Sequence, residues 1–252
     1  MASLLRHPYF LLLVTFFALW AAARIGLAFR QKHHATDEDT EDFTFIVGAT
    51  LTLLGLIIGF TFSMAVSRYD QRKNLEEQEA NAIGTEYFRV DVLPPADAAK
   101  IRSLLKLYLE KRIQYYAARD EESIKASNAA TLQLQNQLWA TTIAPAKAQP
   151  TPLTALAVAG MNDVLNAQGY AQAAWWNRIP AAAWILLITI SIFCNLLIGY
   201  GVRLKSALLF LILPVVLSVS LFLIADIDSP RRGVIHVRAE NLETLAESLN
   251  SQ

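Results

Sequence analysis

The sequence predicts an all-α membrane protein, with four transmembrane helices and a cytoplasmic helical domain inserted between the second and third. Three observations carry this. The chain of 252 residues is 54 % hydrophobic and only 17 % charged, apolar and charge-poor for a soluble domain. The apolar residues fall into four nearly charge-free blocks, Tyr9–Phe29, Phe45–Val66, Ala181–Gly201 and Ser206–Ala225. Each is about 20 residues long, enough at 1.5 Å per residue to cross a hydrocarbon core of roughly 30 Å. The formal net charge of zero gives no support to a nucleic-acid partner, and the single cysteine, Cys194, rules out an intrachain disulfide.

The first region, residues 1–66, holds the spans of about 9–29 and 45–66. Arg6, His7 and the small residues Ala21–Ala23 resemble a cleaved signal peptide, but apolar character resumes through Ile25, Leu27 and Phe29, which favours a retained helix. Arg24 lies near the outer end of this span, where its stem can snorkel to the interface. The following loop carries Asp37, Glu38, Asp39, Glu41 and Asp42, an acidic outer mouth that concentrates cations. His33 and His34 beside it read as solvated loop residues rather than metal ligands.

An even number of spans puts both termini and residues 67–180 on one side. Arg6, Arg68, Arg72, Lys73, Arg178, Arg231, Arg232 and Arg238 lie there, against Arg30, Lys32, Arg203 and Lys205 opposite. The positive-inside bias makes that side the cytoplasm, so the protein is expected to be multi-pass in an inner membrane.

The second span continues without a break into a charged helix that Pro94 and Pro95 end, with a new helix starting at Ala96 or Asp97. Ile101, Leu104, Leu105, Tyr108 and Leu109 repeat at helical spacing in that next helix. Further helices are predicted over about 123–143 and 153–168, separated by a loop at "APAKAQPTP" (144–152), with Trp175 and Trp176 as an interfacial aromatic anchor. The last region pair comprises residues 181–226, with spans of about 181–201 and 206–225, and a tail over 227–252. Asn195 fits an interhelical hydrogen bond, Pro214 a kink, Gly233–Val237 an extended stretch, and Leu242, Leu245 and Leu249 a short amphipathic helix.

Gly48, Thr52, Gly55, Gly59 and Ser63 follow one another at spacings of 4, 3, 4 and 4, so they share a face of the second span, with Phe62 beside them. Small residues there either let helices pack closely or leave room for water in a pore, with Phe62 as a hydrophobic constriction. Both hold if copies of the helix meet around an axis. Arg68, Arg72, Glu76 and Glu79 further along the helix are expected to wall a wet inner vestibule; the competing reading packs them inside the protomer's own bundle with their charges solvated. Arg72 with Glu76, and Lys73 with Glu77, stand at i,i+4. After the fourth span, Asp226 and Asp228 offer hard oxygens to a divalent cation, although Arg231 and Arg232 lie close enough to neutralise them. No phosphate loop, nucleophile elbow or zinc-binding His-Glu pattern is present, so no enzyme and no cofactor beyond that cation are predicted.

The stretches "FTFSMAVSRYDQRKNLEEQEANAIGTEY", "LPP" and "DIDSPRRG" resemble the bacterial bestrophin-like domain family of four-span membrane proteins. More distantly, the order of two spans, a helical segment, two spans and a tail, with Arg68-Tyr69 after the second span, is similar to bestrophin ion channels. That likeness implies a homo-oligomer, a pentamer by family pattern, passing small inorganic ions along a second helix lined by Gly55, Gly59, Phe62 and Ser63. It also implies an acidic clasp at Asp226 and Asp228, but the dense acidic run of the animal clasp is missing. Ion sign stays open, since the outer loop favours cations and Arg68 and Arg72 favour anions. The rival functions are a non-conducting scaffold or sensor that recruits a cytoplasmic partner, and a subunit that handles lipids or another enzyme's substrate.

Overall fold

The computed structural model describes residues 8–32, 39–201, 207–231 and 233–251. All regular structure among them is helical: α1 (Pro8–Lys32), α2 (Asp39–Arg89), a 3₁₀ turn (Val90–Val92), α3 (Pro95–Ala117), α4 (Glu121–Ala148), α5 (Pro152–Trp176), α6 (Ala181–Gly201), α7 (Ala207–Asp228) and α8 (Glu240–Asn250). Among the described residues, four segments are long and apolar enough to cross a membrane, in α1, the first half of α2, α6 and α7. Each of the four expected spans is therefore matched by a helix long and apolar enough to form it.

The 51 residues of α2 run without interruption from the apolar block into the charged stretch. The helix ends where expected. Leu93 is extended, and Pro95 opens α3 one residue earlier than predicted, because a first-turn position leaves the N–H that proline lacks without an intrahelical partner anyway.

Three local expectations are corrected. The predicted loop over 144–152 shrinks to three residues, as α4 continues through Pro145 to Ala148. Pro145 sits in the last turn, forfeits a single backbone bond, and still accepts from the Gln149 N–H at 3.0 Å. Helix α5 begins at Pro152 behind a Thr151/Thr154 capping box and extends to Trp176, well past 168. Trp175 is not an interfacial anchor: it is buried against the Tyr115 and Tyr116 rings, with centroids 5.9 and 5.3 Å away, while Trp176 is exposed. Residues 233–239 form bends and irregular chain.

The chain divides into two compact units, Met1–Arg68 with Arg178–His236, and Tyr69–Asn177 with Val237–Gln252. In the first, Leu19, Leu54, Leu187, Cys194, Leu217 and Leu221 form the core. Helices α1 and α6 meet backbone to backbone. A methyl group at Gly199 would overlap the Ala23 carbonyl, and one at Gly26 would overlap that of Leu196. Small residues at such a crossing give close helix approach without a hydrophobic driving force. Arg24 is exposed within the protomer and lies over the Trp20 ring at 5.7 Å. Asn195 is buried and donates to the Ser191 carbonyl at 2.8 Å within its own helix.

The second unit is a helical bundle around Ile83, Ile101, Leu105, Tyr108, Leu138, Met161 and Val164. Helix α8 closes it, burying Leu242 and Leu249 and laying Leu245 over Gly84, the amphipathic use its leucine spacing predicts.

Candidate functional site

At 100° per residue, Gly48, Thr52, Gly55, Gly59, Phe62 and Ser63 lie within roughly 100° of arc on α2. Leu54, Thr61 and Ala65 occupy a different side and are buried in the first unit. The glycine stripe is exposed in the protomer. A Cβ added at Gly48, Gly55 or Gly59 would meet nothing within 4 Å. Among the described residues, no packing inside one chain requires these glycines, in contrast to Gly26 and Gly199. The Thr52 hydroxyl donates to the Gly48 carbonyl at 2.9 Å, which leaves its oxygen lone pairs on the open side. Phe62 is 40 % exposed and is the one large ring in the stripe.

Of the acidic outer-mouth residues, Asp37 and Glu38 lie outside the described residues, as do the side chains of Asp39, Glu41 and Asp42. The backbone of the last three forms the first turn of α2, where the helix dipole favours negative charge.

The charged continuation of α2 departs from expectation. Arg72, Glu76 and Glu79 are at most 1 % exposed, so they do not face water from this protomer. Nor are they merely solvated on a bundle surface: each is spent on a structural bond. Arg72 donates from Nε to the Ala174 carbonyl (3.1 Å) and from Nη2 to the Asn177 carbonyl (2.9 Å), satisfying the C-terminus of α5. Glu76 accepts from the N–H groups of Asn241 and Leu242, both at 3.0 Å, and from Asn241 Nδ2 at 2.6 Å. The residue before α8 is Ala239, which offers no capping oxygen, so Glu76 caps that helix from another part of the chain. Lys106 binds the other end of α8 by donating to the Leu249 carbonyl at 2.6 Å. Burial pushes the Glu76 carboxyl up in pKa, opposed by the donors from Asn241 and Leu242.

Glu79 pairs with the fully buried Arg112 through Nε–Oε1 and a 3.3 Å Nη2–Oε2 bond, and accepts from the Tyr116 hydroxyl at 3.2 Å. The guanidinium stacks on Tyr115 with 4.5 Å to the centroid. Burial, then the Glu79 charge, raises the Tyr116 phenol, which stays neutral and donates.

Arg68 stands 3.8 Å from Asp228, whose carboxylate also accepts the Ile179 N–H at 3.1 Å. Asp226 is buried, and its two oxygens accept the N–H groups of Val234 (2.8 Å) and Ile235 (2.9 Å). A Cβ at Gly233 would sit 2.5 Å from the Asp226 carbonyl oxygen. The "DIDSPRRG" spacing thus closes a tight turn after α7, with Asp226 as its hub. Among the described residues no group of three or more His, Cys, Asp or Glu side chains converges to hold a metal ion.

Sequence reasoning missed Arg112, the burial of Glu86 and the Gly26–Gly199 crossing. A signal for the buried charges was present. Arg72, Glu76, Glu79, Ile83, Glu86 and Val90 follow one another at spacings of 4, 3, 4, 3 and 4, the period of a buried helix face, and all six are buried.

The bestrophin-like domain model matches residues 15–242. The chain belongs to the bestrophin-like domain family. Solved structures share the fold. A crystal structure of a bacterial bestrophin homolog from Klebsiella pneumoniae, phased on zinc, is 16% identical and superposes with a TM-score of 0.68 over 96% of this chain and 97% of that one. Two mutant structures described by the same words are 13% and 17% identical, with TM-scores of 0.68 and 0.67, covering 96% and 97% of this chain and 97% and 98% of theirs. No curated protein matches the sequence. The bestrophin-like assignment and the four apolar helices together make this a multi-pass membrane protein.

Proposed function

We propose that this bestrophin-like protein is a homo-oligomeric inner-membrane channel for small ions, with the glycine stripe of α2 facing the axis where copies meet. One observation supports it above the others: Gly48, Gly55 and Gly59 border open space in the single chain, so their smallness serves something outside it. A face meant only for lipid has no need of three glycines, which each cost a helix up to about 1 kcal/mol relative to alanine. A water-filled lumen or a close approach of neighbouring copies explains them. Phe62, at the inner part of the stripe, is the constriction of this reading.

Residues 67–180 and both termini are cytoplasmic in this reading, on the positive-inside bias. Selectivity then depends on the outer acidic residues and on Arg68, because Arg72, Glu76 and Glu79 are committed to helix ends and a buried ion pair. Asp226 holds the turn after α7, while Asp228 accepts the Ile179 N–H and faces Arg68.

Reconstitution of the full chain in planar bilayers tests this. Reproducible unitary currents, reduced by Gly59→Leu and altered by Phe62→Ala, are expected. Silence across voltage, pH and divalent ions, with a cytoplasmic protein co-purifying, favours the scaffold reading instead.

A further inference from the structure

Glu86 belongs to the charged face of α2 but, unlike Arg72, Glu76 and Glu79, has no hydrogen bond to spend itself on. Its side chain is 0 % exposed, and neither carboxylate oxygen has a hydrogen-bond partner. The position lies twenty residues beyond the end of the apolar block at Val66, roughly 30 Å along the helix.

Two charged groups face it. Arg89, on its own helix at i,i+3, stands 3.6 Å from Oε2, too far for a hydrogen bond and one-third exposed. Asp163, on α5, lies 4.0 Å from the same guanidinium and is largely exposed, so Arg89 divides its charge between two carboxylates. On the α5 side, Gly160 leaves the space that the two head groups fill. A methyl group there would overlap both the Glu86 carboxylate and the Arg89 guanidinium. The α2–α5 contact is therefore built around a buried carboxyl with no hydrogen-bond donor of its own.

We propose that Glu86 is a proton-binding site, and that its protonated form latches α5 to α2 at Gly160. Burial pushes the Glu86 carboxyl up to about 8 against the lowering effect of Arg89, whereas the same group, once the contact opens to water, returns toward its ordinary value of 4.5. The sign follows from proton linkage. The closed state binds the proton more tightly, so opening releases it. Opening becomes more favourable as pH rises from about 4.5 to about 8, and is independent of pH above that range, where both states are ionised. The slope is up to about tenfold in the opening equilibrium per pH unit. This inference stands apart from conduction: it holds for a channel or for a scaffold.

Hydrogen–deuterium exchange of the full-length protein in lipid nanodiscs reads the latch directly. Peptides covering 152–168 are followed from pH 5 to pH 9, with rates normalised to intrinsic chemical exchange. Protection of α5 in the wild type should fall by up to about 100-fold between pH 5 and pH 7 and level off near pH 8. Glu86→Gln, which keeps the shape without the proton, should give α5 a pH-independent protection. If that variant does not fold, Arg89→Gln serves. It removes the opposing cation, so the levelling-off moves to higher pH. Glu76 does not confuse the result, because its contacts report on peptides covering 240–250. Flat protection of α5 in the wild type, a slope that survives in Glu86→Gln, or a levelling-off unmoved by Arg89→Gln overturns the proposal.

Discussion

Replacing Arg112 with methionine keeps much of the side chain's volume but strips Glu79 of its partner. Glu79 then retains one neutral donor, the Tyr116 hydroxyl, at a position with no exposure to water. Removing one member of a buried ion pair commonly costs about 3–5 kcal/mol. An upper bound follows from proton uptake. A stranded buried carboxylate can take a proton, which at pH 7 costs about 1.36 kcal/mol for each unit between pH 7 and an ordinary glutamate value of ~4.3, or about 3.7 kcal/mol. The same escape at pH 5 costs only about 1 kcal/mol. Arg112→Met should therefore destabilise the protein by about 3–4 kcal/mol at pH 7 and by clearly less at pH 5, and pairing it with Glu79→Gln should recover most of the loss. Chaotrope unfolding of the purified full chain at both pH values, for wild type, both singles and the double variant, measures this. A loss below about 1 kcal/mol at pH 7, or one that does not change with pH, refutes the reasoning that Glu79 and Arg112 form an isolated buried pair.

Other outcomes follow from the same geometry. Glu76→Ala leaves the Asn241 and Leu242 N–H groups without their acceptor, so α8 should undock, seen as faster proteolysis within residues 240–250 and a loss of about 2 kcal/mol or more. Gly199→Val forces a side chain into the Ala23 carbonyl and should abolish recovery of folded protein, whereas Gly55→Ala should leave the isolated protomer's fold intact, as both are read by gel filtration in detergent. Asp226→Ala strands the Val234 and Ile235 N–H groups and should cost about 2 kcal/mol in unfolding experiments, with an identical loss in calcium and in chelator. A calcium-dependent loss would give that turn a metal role.

The spans were legible because about 20 consecutive apolar residues have few alternative uses, and the continuity of α2 because nothing between Gly55 and Tyr87 breaks a helix. The Pro94-Pro95 stop and the leucine face of α8 were equally local signals. What failed was non-local. Pro145 looks like a loop residue until one sees that it falls in a final turn, where one lost bond is tolerable. Trp175 looks like an interface anchor until Tyr115 and Tyr116 arrive from 60 residues away in sequence to bury it. Above all, Arg72, Glu76 and Glu79 read as wet because charge normally means water. Their partners are helix ends and an arginine supplied by α3, α5 and α8, which no local pattern announces. The 3–4 spacing of that face carried the correct message, and the residue types masked it. The glycine stripe was visible at once, but only the empty space around Gly48, Gly55 and Gly59 separates it from the packing glycines at 26 and 199.

Water contact at Gly59 tests the account most directly. With Cys194 replaced by alanine, Gly59→Cys carries a single thiol on the stripe. The full chain, reconstituted in lipid bilayers, is exposed to a charged thiol reagent that cannot enter hydrocarbon. A water-lined axis predicts fast modification of that thiol with a matching fall in current, and little reaction for Leu54→Cys on the buried side. A thiol at position 59 that resists the charged reagent yet reacts with a lipid-soluble one would mean the stripe faces acyl chains, and the channel reading would fail.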